Sequence, residues 1–161
     1  SCNASKFCVM TYAVSVVRDV KASPEDIWAL VTDLSRMGEW SPESQGGEWI
    51  DGASCAAVGA KFKGNNLNGD KSWQAVVVVD VHDAPRKFVF SLNVSDMHLC
   101  DWVYEIEPTA DGCRVTHAWV EGLQWAEFAP IGKNISGVDD RATHNLSNME
   151  ITLDNLLKAV K

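Results

Sequence analysis

The 161-residue chain predicts an α+β fold in which a bent antiparallel sheet wraps a long C-terminal helix around an apolar cavity. Three observations carry this expectation. Apolar residues alternate with polar ones in a succession of short stretches separated by turn-forming residues. The last quarter of the chain bears one apolar stripe at steps of three and four. The aromatic residues of the final two stretches fall on a single face.

Taken in order, Tyr12, Val14, Val16 and Val20 alternate with polar neighbours such as Ser15 and Asp19, the period of a half-buried strand, with Arg18 breaking the apolar side near its rim. Ser23-Pro24-Glu25-Asp26 then signals a helix start: Ser23 caps, Pro24 suits the first helical position and Asp26 closes a capping box. Ile27, Trp28, Leu30 and Val31 form its buried side, and Asp33 starts a second short helix ending at Gly38. Strands are expected over 47–50, 58–65, 71–80, 87–95, 98–107 and 113–121, divided by Asp51-Gly52, Asn68-Gly69, Asp83-Ala84-Pro85 and Asp111-Gly112. Connections this short imply an antiparallel meander. Residues 122–137 hold two glycines and a proline without a clean period and read as a loop with at most a helical turn. Ser136, with Asp139 completing a capping box, starts the long helix, whose stripe is Ala142, Leu146, Met149, Leu153, Leu156 and Val160.

The last two strands can be checked against each other. A two-residue turn at Asp111-Gly112 sets Tyr104 opposite Trp119; a four-residue loop sets Tyr104 opposite His117 and Trp102 opposite Trp119. Either register collects Cys100, Trp102, Tyr104, Ile106, Val115, His117 and Trp119 on one face and Asp101, Glu105, Glu107, Arg114 and Thr116 on the other. By the same parity Phe88, Phe90 and Leu92 face inward, as do Trp73, Ala75, Val77 and Val79, and Phe62 between Lys61 and Lys63. Each aromatic taken singly is an ordinary core residue. Together on a strongly bent sheet closed by one helix they imply volume that the helix cannot fill, of the roughly 300–1,000 Å³ that small-ligand sites occupy, with Tyr104 and His117 as its polar handles.

Composition narrows the partners. A net charge of −8 without runs of like charge disfavours nucleic acid and anionic membrane surfaces. No apolar run approaches 18 residues and no signal peptide is evident, so neither a membrane span nor secretion is expected. The cysteines Cys2, Cys8, Cys55, Cys100 and Cys113 are odd in number and irregularly spaced, which fits reduced thiols in a cytoplasmic protein better than disulfides or a zinc site. The Asn-x-Ser sequons at Asn3, Asn93, Asn134 and Asn145 matter only in a secreted chain. Phosphate-binding, dinucleotide, nucleophile-elbow and HExxH motifs are all missing, so neither cofactor nor metal is expected. His117 and Glu121 are four strand residues apart, about 13 Å, too far to share an ion. His82, His98 and His144 are scattered. One acid/base set survives: His117, Tyr104 and Glu121 in the cavity, where a near-neutral imidazole beside a phenol can move a proton on an enolisable carbonyl. The whole chain, 1–161, is expected to form one domain, with 1–9 an extension ahead of the patterned segment that begins at Met10.

The stretch Val20-Lys-Ala-Ser-Pro-Glu-Asp-Ile-Trp28-Ala-Leu-Val-Thr-Asp33-Leu, followed by Met37-Gly-Glu-Trp-Ser-Pro42-Glu, resembles the START-related SRPBCC superfamily, in particular its polyketide cyclase/dehydrase and lipid transport members. Trp49, Gly59-Ala-Lys-Phe-Lys-Gly64, Trp73, Phe88-Val-Phe90, Trp102-Val-Tyr104-Glu-Ile-Glu-Pro108, Gly112-Cys-Arg-Val-Thr116 and Trp119 extend the likeness over about residues 12–121 and the closing helix. The resemblance implies the helix-grip fold, seven antiparallel strands around a C-terminal helix, with a cavity for lipids, polyketides or other hydrophobic molecules. Carried onto matching positions, it implies a lining of Phe62, Trp73, Phe88, Phe90, Trp102, Tyr104, His117 and Trp119, with Trp40 near the entrance. It carries no shared catalytic motif. Two functions follow as expectations: a binding or transport protein for a hydrophobic small molecule, or a cyclase/dehydratase-type enzyme moving protons through His117 and Tyr104. An interaction or stress-response module is a third. The oligomeric state is left open, a dimer included.

Overall fold

The first strand is followed by two short helical segments, six further strands and two helices, in a computed structural model that describes residues 13–160. Tyr12 and the segment 1–9 lie outside the described residues. The strands are β1 (Val14–Val20), β2 (Ser44–Ile50), β3 (Lys61–Asn68), β4 (Lys71–Asp83), β5 (Lys87–Val94), β6 (Met97–Pro108) and β7 (Cys113–Glu121). They form one antiparallel sheet in the order β1-β7-β6-β5-β4-β3-β2. With helices on its concave side this is the helix-grip α+β fold.

Local chemistry sets the early helices. In α1 (Pro24–Val31) the Ser23 hydroxyl accepts from the Asp26 backbone N–H at 3.1 Å, and Ile27 and Val31 are buried. A 3-10 helix follows over Leu34–Glu39; Asp33 does not cap its backbone, its carboxylate accepting instead from the Ser35 hydroxyl at 2.5 Å.

The β6–β7 connection takes the longer of the two expected loops: Trp102 pairs with Trp119 and Tyr104 with His117. Gly112 in that loop lies against the Val20 carbonyl, where a Cβ would overlap. Two strands begin away from their predicted starts. Residues 44–46 join β2 through a bulge between Ser44 and Gly47, and β3 starts at Lys61 because 51–60 form a loop that touches β4 through the Gly59 N–H to Val79 carbonyl bond. A second bulge lies between Val79 and Val81 in β4, and it flips side-chain parity so that His82 comes opposite Phe88.

The expected loop at 122–137 is largely a helix, α2 (Trp125–Ser136), with Pro130 inside it. Pro130 and Gly132 disguised its period, although Trp125, Phe128, Gly132 and Ile135 do follow helical steps. Gly137, left-handed at φ 71°, ends α2. Consequently α3 (Arg141–Ala159) starts later than Ser136: its cap is Asp140, whose side chain accepts from the Thr143 N–H. Met149, Leu153 and Leu156 are fully inside, and Ala142, Leu146 and Val160 flank them, as the stripe predicts.

Candidate functional site

Between the concave face and the two later helices lies a cavity of about 930 Å³. α3 packs mainly on β1 and β7, and α2 approaches β4 and β6; the middle of the sheet therefore faces open volume. The even positions of β6 and odd positions of β7 turn into it because their paired register is unbroken from Cys100–Glu121 to Pro108–Cys113. The residues that α2 presents to it include Phe128, Ala129 and Gly132. Ile131 and Ile135 of α2, with Val76 and Val94 of the sheet, line the cavity yet are exposed, marking its open side.

Seven of the expected lining residues, Phe62, Trp73, Phe90, Trp102, Tyr104, His117 and Trp119, meet on this wall. Two do not. Phe88 is fully buried at one end of the sheet, edge-on to Trp28 of α1 at 6.0 Å and beside His82, because the β4 bulge and α1 close that end completely. Trp40 is core rather than entrance: Arg36 lies over its ring at 5.1 Å, and its carbonyl accepts from the Asn155 amide at 3.1 Å, tying the 3-10 segment to α3.

The Tyr104 and His117 rings stack face to face, 3.9 Å apart and 5° from parallel, with Trp102 5.9 Å from the same imidazole. His117 Nδ1–H donates to the Val103 carbonyl at 3.0 Å, which leaves Nε2 as an acceptor. Burial holds this imidazole neutral down to about 4, against a partial upward pull from the Val103 hydrogen bond. Burial likewise pushes the Tyr104 phenol above its usual range. Cys100 is pushed up to about 12 by burial, despite the Trp119 indole N–H donated to its sulfur. Among the described residues neither the Tyr104 hydroxyl nor His117 Nε2 has a hydrogen-bond partner, and neither is sealed off from the cavity.

A second polar group was not anticipated from the sequence. Arg141 Nη1 donates to both carboxylate oxygens of Glu43 at 2.9 Å and to Asn145 Oδ1 at 3.2 Å, and all three residues line the cavity. Asn145 is completely buried. The available signal was its place beside Ala142, Leu146 and Met149 in the apolar stripe, where an amide needs a reason. Among the described residues no cluster of three or more metal-binding side chains occurs, and no helix is long and apolar enough to cross a membrane.

Comparison with known proteins places this geometry in a family. Residues 11–160 match the family model described as polyketide cyclase / dehydrase and lipid transport. The chain belongs to that family, and with it to the SRPBCC-related superfamily, whose fold binds hydrophobic ligands. More particularly, it is similar to the polyketide-cyclase-like protein Cgl2372 of Corynebacterium glutamicum, at 25% identity and TM-score 0.60, over 92% of this chain and 91% of that one. Protein CV1439 of Chromobacterium violaceum shares the fold at 13% identity and TM-score 0.66, over 91% and 96%. The di-domain aromatase/cyclase StfQ of the steffimycin biosynthetic pathway does so at 12% identity and TM-score 0.65, over 91% of this chain and 49% of that one. No curated protein matches.

Proposed function

We propose that the chain is one ligand-binding domain that holds or carries a hydrophobic, lipid- or polyketide-like small molecule in the cavity between sheet and helices. The observation that carries this is the volume of about 930 Å³ walled by Phe62, Trp73, Phe90, Trp102 and Trp119, a size and lining suited to one such molecule. Four of the seven tryptophans, Trp73, Trp102, Trp119 and Trp125, stand on its wall, so occupancy should alter tryptophan emission. Titration with fatty acids, sterols and aromatic polyketides should give a saturable change for at least one class, and Ala75→Trp, which fills the floor, should abolish it in a folded protein. Silence across the panel would sink the proposal.

The proton-transfer alternative draws on the nearness of His117 and Tyr104. Their stacking argues against it: parallel rings at 3.9 Å make no hydrogen bond in which one prepares the other. An imidazole that stays neutral to about 4 is also a weak base at neutral pH. Both groups serve better as a fixed acceptor and a fixed donor for a bound molecule.

A further inference from the structure

Among the described residues one side-chain donor on the cavity wall, Asn145 Nδ2, is both sealed from solvent and without a hydrogen-bond partner. Asn145 is inaccessible to solvent, its Oδ1 is taken by Arg141, and its Nδ2 has no acceptor. Leaving a buried amide donor unpaired is destabilising, so its presence in an otherwise apolar stripe calls for a missing partner. Arg141 offers further donors, which are not sealed from solvent. Its three bonds all leave from Nη1, and Nε and Nη2 donate to nothing among the described residues. Donors are in surplus here and acceptors are short.

The charge, however, is already balanced. Glu43 faces Arg141 through both oxygens, with the two side chains only 14% and 16% exposed. An incoming carboxylate or phosphate would meet the Glu43 carboxylate in a poorly screened site, where like charges repel strongly. An uncharged oxygen would not.

We propose that Arg141, Glu43 and Asn145 form a polar docking station inside the cavity for an uncharged oxygen, a carbonyl or hydroxyl, on an otherwise apolar ligand. This rests on the ligand-binding reading above and narrows the ligand class: neutral ketones, quinones or alcohols, not fatty acids. The oxygen accepts from the free Arg141 N–H groups and, once the amide turns slightly toward the cavity, from Asn145 Nδ2; a hydroxyl can also donate to Glu43. Tyr104 and His117 stand elsewhere on the wall. Neither ring is hydrogen-bonded to Arg141, Glu43 or Asn145 among the described residues.

The test uses three probes of one shape: 2-acetylnaphthalene, 2-isopropylnaphthalene and 2-naphthoate, titrated calorimetrically into the full chain. In the wild type the ketone should bind at least as tightly as the more hydrophobic hydrocarbon, and roughly tenfold tighter than the carboxylate, the worth of about one hydrogen bond. Asn145→Leu should weaken the ketone by about tenfold and leave the hydrocarbon unchanged or improved. Glu43→Gln should raise affinity for 2-naphthoate, because the Arg141 charge is then uncompensated. Hydrocarbon binding with no advantage for the ketone, equal losses of ketone and hydrocarbon in Asn145→Leu, or no gain for 2-naphthoate in Glu43→Gln would each overturn the station while leaving the cavity reading intact. If none of the three binds, both fall. Should either variant fail to fold, the wild-type comparison of the three probes still decides.

Discussion

His117 makes the folded state sensitive to acid in a way that can be isolated. Its ordinary value is 6.5, and burial lowers it to about 4 in the fold. Above about pH 6.5 neither the folded nor the unfolded chain protonates this imidazole, and it contributes no pH dependence. Between 6.5 and 4 the unfolded chain takes up a proton that the folded chain refuses, so stability falls as pH falls. Below about 4 the loss is complete. At about 1.4 kcal/mol per pH unit the full loss is about 3 kcal/mol, a large share of the 5–15 kcal/mol typical of a domain. His117→Gln keeps an N–H for the Val103 carbonyl and removes the titration. Urea unfolding of both proteins from pH 7.5 to 4 should show their stability difference moving against the wild type by about 3 kcal/mol. All other titrations are common to both and cancel. A difference that stays constant across this range would mean that cavity water solvates the imidazolium and that burial does not suppress its protonation.

Three further outcomes follow from packing and burial. Leu153→Ala removes a side chain with no exposed surface from the stripe of α3 and should cost about 2–5 kcal/mol in chemical denaturation. Asp140→Ala deletes the α3 cap and should cost about 1 kcal/mol, read as a lowered Tm. Cys100, held up at about 12 by burial, should resist a thiol reagent at pH 8 until the chain is unfolded, with the labelled cysteines located by peptide mapping; fast native-state labelling of Cys100 would contradict its placement.

What the sequence revealed depended on the kind of signal. Strand parity is local and strict, so the inward set Trp102, Tyr104, His117 and Trp119 was legible once two strands could be laid side by side, whichever loop joined them. The C-terminal stripe was equally plain. Parity alone could not say how far along the sheet the cavity reaches: Phe88 and Phe90 share a face, yet α1 and the β4 bulge seal the first into core while the second stays on the wall. Trp40 was misplaced because a turn motif gives no direction for its ring. α2 was hidden because Pro130 and Gly132 carry low helix propensity and packing against the sheet overrides it. The Arg141–Glu43 contact joins residues 98 positions apart, beyond any local pattern.

The cavity exists because the two helices divide the concave face unequally, and Gly132 shows how. α3 is drawn to β1 and β7 by Met149, Leu153 and Leu156, so the opposite half of the sheet is left to α2. There one of the α2 residues lining the volume is a glycine, a helix-interior choice that costs about 1 kcal/mol relative to a good helix former. A Cβ at this position would meet only the Phe128 ring, at 3.2 Å, a side chain that can shift. Gly132→Leu should therefore hold or raise the stability of the empty protein while its side chain fills volume that a ligand needs. Thermal unfolding and probe titration on the same variant separate the two effects: unchanged or higher Tm with weakened binding is expected. Undiminished binding would mean that the ligand never occupies the space beneath α2, and a lower Tm would mean that the glycine is there for packing.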